Sequence, residues 1–223
     1  SSPSRQQDIY DVLDSLPIPL GALGQKAQLT VMENIVAGSP IAVGQTYYKR
    51  FTTQLTDTAL LKRLETKYRF LFDNTVNQSA DIELLDTHGK RTNWTEVLRK
   101  HRGKMIYVDF WASWCAPCKK EMPASHRLRE KCIGMDIVFV YLSTDRSEEA
   151  WKQCLPEVGL DKVKENYLVL NSRTSRLLNE DLRLKTIPRY LIYDKTGRLI
   201  HNDAPRPGDE KTKRMLQISC NGQ

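Results

Sequence analysis

The sequence predicts an α/β fold preceded by a helical extension, and three observations carry that expectation. Two nearly continuous apolar, β-prone runs, residues 105–110 and 136–142, flank a helix-compatible segment, which makes a parallel strand–helix–strand unit with a right-handed crossover. A hairpin signal follows, with Asp194-Lys-Thr-Gly197 as the turn between residues 189–193 and 198–201. Residues 1–75 instead carry apolar positions at helical spacing, with no cysteine, glycine-rich loop or carboxylate cluster.

The chain of 223 residues is long enough for one large domain or for one domain plus an extension. Its 40% hydrophobic and 27% charged residues make a globular balance and argue against a disordered chain. No apolar run approaches the roughly 20 residues that span a bilayer. The formal charge of +7 is dispersed among acidic residues, as in Lys62-Arg63 beside Glu65. Without a basic stripe interleaved with aromatic platforms, nucleic acid is not an expected partner. Ser1-Ser-Pro-Ser4 has no basic stretch followed by an apolar one, so the residues leave open an intracellular protein or one whose leader has been removed.

In the extension, residues 5–16 place Ile9, Val12, Leu13 and Leu16 on one helical stripe, with Ser4 as a possible cap and Pro17 and Pro19 as breakers. Residues 26–37 repeat the pattern through Leu29, Met32, Ile35 and Val36, and Gly38-Ser-Pro40 stops it. A short apolar piece surrounds Ile41. Thr56-Asp57 can cap a third helix with the stripe Leu60, Leu61, Leu64, Tyr68, Leu71 and Phe72. These helices are expected to dock on the following domain; a partner or dimerisation surface is the alternative.

Residues 74–79 read as a linker, and the second domain is expected over 76–223. It opens with a strand over 81–85 and a turn at Asp86-Thr-His-Gly89. Thr92-Asn-Trp-Thr-Glu96 starts a helix that Gly103 ends. The helix leaving Cys115 directs Met122 and Leu128 inward and carries Pro123, an expected kink. Ser147 caps a helix through Trp151 and Leu155, residues 167–170 make a short strand, 174–182 a helix, and 209–218 a last helix.

The chemistry concentrates where the first apolar strand turns into a helix, at Cys115-Ala-Pro-Cys118. This spacing lets two thiols face each other across one helical turn. The first sulfur sits at the helix N-terminus, where unpaired N–H groups and the positive dipole end favour the thiolate, the nucleophile of disulfide exchange. Zinc is the competing use of such a pair, but it needs four ligands. No second Cys-x-x-Cys is apparent, and His126 lies about 12 Å further along the helix by its rise. Asp109, inside Tyr107-Val-Asp-Phe110, is costly in a buried strand unless it has a task or a partner; solvation at a strand end is the alternative. Cys132 and Cys154 are either bridged or, as favoured here, two separate buried thiols. Cys220 is read as unpaired and exposed.

Phe110-Trp-Ala-Ser-Trp-Cys-Ala-Pro-Cys-Lys119 resembles the active-site signature of thioredoxins, and Lys119-Lys-Glu-Met-Pro123 resembles the TlpA and ResA type of bacterial thiol–disulfide oxidoreductase. The resemblance covers residues 80–218. It implies a thioredoxin-like fold, a central mixed β-sheet flanked by helices, with an extra helix–strand insert before Thr186-Ile-Pro188. It further implies that Cys115 attacks a substrate disulfide, that Cys118 resolves the mixed disulfide, and that Asp109 assists deprotonation of Cys118. Thioredoxins pair this Asp with a Lys on the next strand; the approximate match here is Tyr141. Glu121 matches a Glu held near the cysteines in the ResA type, or it simply complements the helix dipole. Pro188 matches a cis proline that turns the backbone of Ile187 toward the cysteines, where an extended substrate segment can pair with it. Trp114 is expected as an exposed substrate contact and Trp111 as packed beneath the loop. Pro117 is expected to restrict the loop and make the pair reducing.

The sequence therefore points to a thiol–disulfide oxidoreductase that acts on protein disulfides, with no organic cofactor and no metal. Its electrons are expected from a thiol reductase, possibly membrane-bound, and its place is the periplasm or cell envelope. A non-catalytic binding module or a Cu(I)–thiolate chaperone is the alternative, and an oxidase differs only in potential.

Overall fold

In the computed structural model, which describes residues 3–15, 22–72 and 82–221, the strand leading into the cysteine motif is buried along its whole length. By their contacts the residues fall into two units: 1–73 with Ile200–Asp203, and 74–199 with Ala204–Gln223.

The helices of the first unit are α1 (Pro3–Asp14), α2 (Ala22–Gly38), α3 (Ile41–Thr53) and α4 (Thr58–Lys67), followed by a 3₁₀ turn, Arg69–Leu71. Asp57 caps α4, its carboxylate accepting from Leu60 N at 2.9 Å, as the Thr-Asp pair predicts. Helix α1 departs from expectation. It starts at Pro3, so Ser4 lies inside it rather than capping it; a proline suits a first turn, whose N–H has no acceptor. Ile9 and Val12 face solvent, and the buried anchor is Tyr10. Its ring meets Tyr47 edge-on, with centroids 5.1 Å apart, and the Arg50 guanidinium lies over both rings while pairing with Asp11 and Asp14. Leu16, Pro17 and Pro19 lie outside the described residues.

Helix α3 was expected only as a short apolar piece. Its buried face is aromatic, Tyr47, Tyr48 and Phe51, and it contains Gly44, all of them poor helix formers. Tertiary packing overrides that propensity: a Cβ at Gly44 would stand 3.4 Å from Val36 Cα, so the glycine lets α3 and α2 approach closely. Met32, Ile35 and Val36 of α2 are buried as predicted. The Leu60-to-Phe72 stripe breaks after Lys67; Leu64, Tyr68 and Leu71 are buried and Phe72 is exposed.

The described residues form a sheet of seven strands: β1 (Glu83–Asp86), β2 (Arg91–Asn93), β3 (Met105–Trp111), β4 (Ile137–Ser143), β5 (Asn166–Val169), β6 (Arg189–Tyr193) and β7 (Leu199–His201). Their order is β2-β1-β5-β4-β3-β6-β7. Strands β3, β4 and β5 are parallel, and β1 and β6 join them antiparallel, so the sheet is mixed as expected. The helices of the second unit are α5 (Trp94–Lys100), α6 (Ala116–Lys131), α7 (Glu148–Glu157) and α8 (Glu210–Asn221). Asn93 and Ser147 cap α5 and α7 by accepting from Glu96 N and Ala150 N. Helix α6 runs through Pro123 and buries Met122 and Leu128. In the two hairpin turns the Asp86 and Asp194 carboxylates accept backbone N–H groups, with Gly89 and Gly197 at positive φ.

Two further readings need correction. Thr92 and Asn93, expected as part of the helix start, belong with Arg91 to β2, which pairs with β1, and the helix begins at Trp94. The segment 174–182 is a π-helical turn, Leu177–Asp181, rather than an α-helix. Local side-chain bonds explain this: Asn179 Nδ2 donates to Ser172 O and Ser175 O, and Ser175 Oγ accepts from Leu178 N, offering the backbone an alternative to the i→i−4 ladder. Cys132 and Cys154 are separate buried thiols, and the Cys220 side chain and the 74–79 linker lie outside the described residues.

Because the Asn93 side chain caps the first turn of α5, Asn93→Ala should cost about 1 kcal/mol in urea unfolding, with Asn93→Ser restoring most of it.

Candidate active site

Parallel strands deliver their C-terminal ends to one edge of the sheet, and the chemistry-bearing residues gather there. Strand β3 ends at Trp111; the chain then turns through Ala112, Ser113 and Trp114 and starts α6. Cys115 is the N-cap of α6, in extended conformation, and its Sγ accepts from Cys118 N at 3.2 Å. Cys115 and Cys118 form a disulfide with an S–S distance of 2.02 Å. Both are buried. A sulfur in this position answers an orphan N–H of the first turn and sits at the positive end of a 16-residue helix. As a thiolate it would gain from both.

The loop carrying the motif is fastened by a residue the sequence reading did not single out. Asp145, just beyond β4, is buried, and its carboxylate accepts from Ser113 N at 2.9 Å, Ser113 Oγ at 2.6 Å and Ser143 Oγ at 2.7 Å. Thr144 N donates to Trp111 O at 2.9 Å beside it. The available signal was positional: an Asp following a buried parallel strand emerges at the same sheet edge as the motif.

Asp109 is buried within β3, not solvated at a strand end. Its neighbours in register are Tyr141 on β4 and Tyr190 on β6. Neither carboxyl oxygen of Asp109 has a well-formed hydrogen bond. Burial is the main cause of a pKa well above the usual carboxylate range; the charge of Glu121 adds to it, and Ser125 opposes it weakly. The Tyr141 hydroxyl, bonded to Ser125 Oγ at 3.0 Å, is pushed up to about 12 by burial and is therefore neutral at ordinary pH. Glu121 is partly buried and paired with Arg206, Oε1 to Nη1, at 2.9 Å, so it is held in place rather than free on a surface.

Ile187–Pro188 is a cis peptide. Trp114 is 67% exposed beside Cys115, whereas Trp111 is fully buried under the loop. Trp114 and Ile187 line one cleft of about 860 Å³; Pro117 is exposed on the first turn of α6, and neither it nor Pro188 lines that cleft. The structure thus joins Cys115 to Cys118, sets Asp109 in the strand that precedes them, and brings Trp114 and Ile187 to a common opening.

The family model described as thioredoxin-like matches residues 103–199. The thiol–disulfide oxidoreductase ResA of Bacillus thuringiensis (strain Al Hakam) is 24% identical over 140 residues, covering 63% of this chain and 73% of that protein. ResA of Geobacillus thermodenitrificans (strain NG80-2) is 24% identical over 182 residues, 78% and 87% of the two chains. Among solved structures, that of a proposed thiol–disulfide oxidoreductase from Bacteroides vulgatus is 34% identical, with a TM-score of 0.52 over 61% of this chain and 90% of that one.

Two outcomes follow from this geometry. Asp145→Ala orphans the Ser113 and Ser143 donors and should lower stability by about 2–3 kcal/mol in urea unfolding, with Asp145→Asn intermediate. Asp109 acts through pH. Below the ordinary carboxylate range, folded and unfolded chains both hold its proton; as pH rises the unfolded chain releases it first, so stability falls until the folded carboxyl also ionises. Oxidised Asp109→Asn should therefore be more stable than its parent at pH 7 and lose that advantage at pH 3; an equal difference at both pH values would contradict the burial argument.

Proposed function

This chain belongs to the thioredoxin-like thiol–disulfide oxidoreductases of the TlpA/ResA type, and on that premise we propose that its Cys115–Cys118 dithiol reduces the disulfides of other proteins outside the cytoplasm. The observation that carries the reading is the cysteine pair at the N-terminus of α6, with Cys115 as the cap.

In the reducing direction, the Cys115 thiolate attacks one sulfur of a substrate cystine. A mixed disulfide forms, and the other substrate sulfur leaves as a thiolate that takes up a proton. Cys118 then gives its proton to the ionised Asp109 carboxylate and attacks Cys115 Sγ; the second substrate sulfur leaves as a thiolate that takes up a proton, and Asp109 returns its own to solvent. Two electrons pass to the substrate and the pair becomes a disulfide, as it stands in the structure. A carboxyl whose pKa is raised by burial is suited to accept that proton. Glu121, with its charge felt at Asp109, tunes that acceptor. Trp114 and the backbone of Ile187 meet the substrate at the shared cleft, Pro188 presents that backbone, and Pro117 biases the pair toward the reducing side.

The dithiol itself carries the electrons, so the reading assigns no organic cofactor. A thiol reductase, possibly membrane-bound, restores the dithiol. The extracytoplasmic placement rests on the likeness to the TlpA type; no described helix is long and apolar enough to cross a membrane.

Insulin reduction by the dithiol form tests the reading. Cys115→Ser should abolish it, and Cys118→Ser should accumulate a mixed disulfide with the substrate. Equilibration with glutathione buffers should give a potential below about −200 mV; a value near −120 mV would make the protein an oxidant instead. Tight Cu(I) uptake without disulfide exchange would replace catalysis by metal transfer.

A further inference from the structure

The cleft beside the disulfide has a chemical character that the exchange reaction does not require. Its lining includes Trp114 and Ile187, the residues next to Cys115 and Pro188. The rest is built where the C-terminal ends of β4 and β5 open onto the same sheet edge: Arg146 follows β4, Arg173 follows β5, and Lys185 precedes the cis peptide. All three side chains are exposed, and none makes an ion pair among the described residues. Among the described residues lining the cleft, the single acidic one is Asp145, and it is buried with both oxygens accepting hydrogen bonds from Ser113 and Ser143. Among the described residues the cleft therefore presents three cations without an ion-pair partner and no free carboxylate. Its volume of about 860 Å³ lies within the range of pockets that enclose a ligand of several residues' bulk.

Three like charges around one concavity repel one another and concentrate field lines, an arrangement that favours an anionic occupant and its rate of encounter. Because Trp114, the residue next to Cys115 in the chain, lines the concavity, a segment continuous with the disulfide being attacked can occupy it. We propose that Arg146, Arg173 and Lys185 form a specificity site for an acidic segment flanking the cystine of the substrate protein. The proposal rests on the disulfide-reductase reading and adds the class of substrate. The backbone of the substrate runs past Trp114 and Ile187, and its Asp or Glu side chains pair with the three cations. These pairs are solvent-accessible, so each contributes modestly and all weaken with salt.

The test uses the reduced full chain and two synthetic peptides, each with one intramolecular disulfide, flanked by Asp and Glu in one and by Lys in the other. At low ionic strength kcat/KM should favour the acidic peptide by about tenfold, mainly through KM, and the ratio should shrink as salt is added. Reversing the charges, as Arg146→Glu with Arg173→Glu and Lys185→Glu, should raise KM for the acidic peptide and lower it for the lysine peptide. The gain on the lysine peptide cannot come from misfolding. Neutral hydroxyethyl disulfide separates the two levels of the argument. If the parent turns it over but does not discriminate between the peptides, the cleft assignment fails and the reductase reading stands. If neither it nor either peptide is reduced, the reductase reading fails and takes the cleft with it. Oxidised glutathione reduced in preference to the acidic peptide would also overturn the proposal, because the cleft would then serve a small anion.

Discussion

Backbone N–H groups at the start of a helix need acceptors, and at the start of α6 the acceptor is a sulfur. Cys115 Sγ takes the N–H of Cys118 while bonded to the sulfur of that same residue. The arrangement demands a chain that arrives extended, stops at one residue and turns into helix without slack. Strand β3 supplies the extended approach, with all seven side chains buried and strands paired on both edges. When the disulfide opens, the same helix terminus faces a thiolate, which gains from the dipole what a neutral sulfur cannot. The capping geometry thus serves both redox states, and the sheet exists in this form to hold it.

Around Asp109 the protein has replaced charge with phenol. Its partners in register, Tyr141 and Tyr190, are neutral at ordinary pH, and burial raises the pKa of both. Tyr190 in turn stacks on Tyr107, with ring centroids 5.6 Å apart. A lysine at the Tyr141 position would draw the carboxyl toward its ionised form; tyrosine exerts no such pull. The formal charge felt at Asp109 is that of Glu121, which acts in the same direction as burial and is itself balanced by Arg206. The proton affinity of this acid is therefore set by desolvation more than by a salt bridge.

Much of the second unit was legible because its signals are local and agree. Uninterrupted apolar runs marked β3 and β4, Asn93 and Ser147 marked helix starts, and Asp194 with Gly197 marked a turn. The motif pair and the cis Ile187–Pro188 were reached through resemblance as much as through physics. The failures have a shared cause. Tyr10, Tyr47 and Tyr48 anchor the helices of the first unit, but an apolar stripe drawn from Ile, Val and Leu passes over aromatic residues with a polar tip. Helix α3 was hidden by Gly44, and the π-helical turn by side chains of Ser175 and Asn179 that bond to the backbone. Asp145 and the basic cleft escaped because their meaning comes from residues about thirty positions apart meeting at one sheet edge.

The Asp145 clamp has a mechanical side. Its three bonds weld the loop before Cys115 to the end of β4, so this loop and the sheet form one fixed leaf. Breaking or making the sulfur–sulfur link then has little room to displace anything upstream of Cys115. On the far side of the disulfide none of these three bonds holds Cys118, so the displacement of opening the link falls more easily on the first turn of α6 than on the loop that presents Cys115.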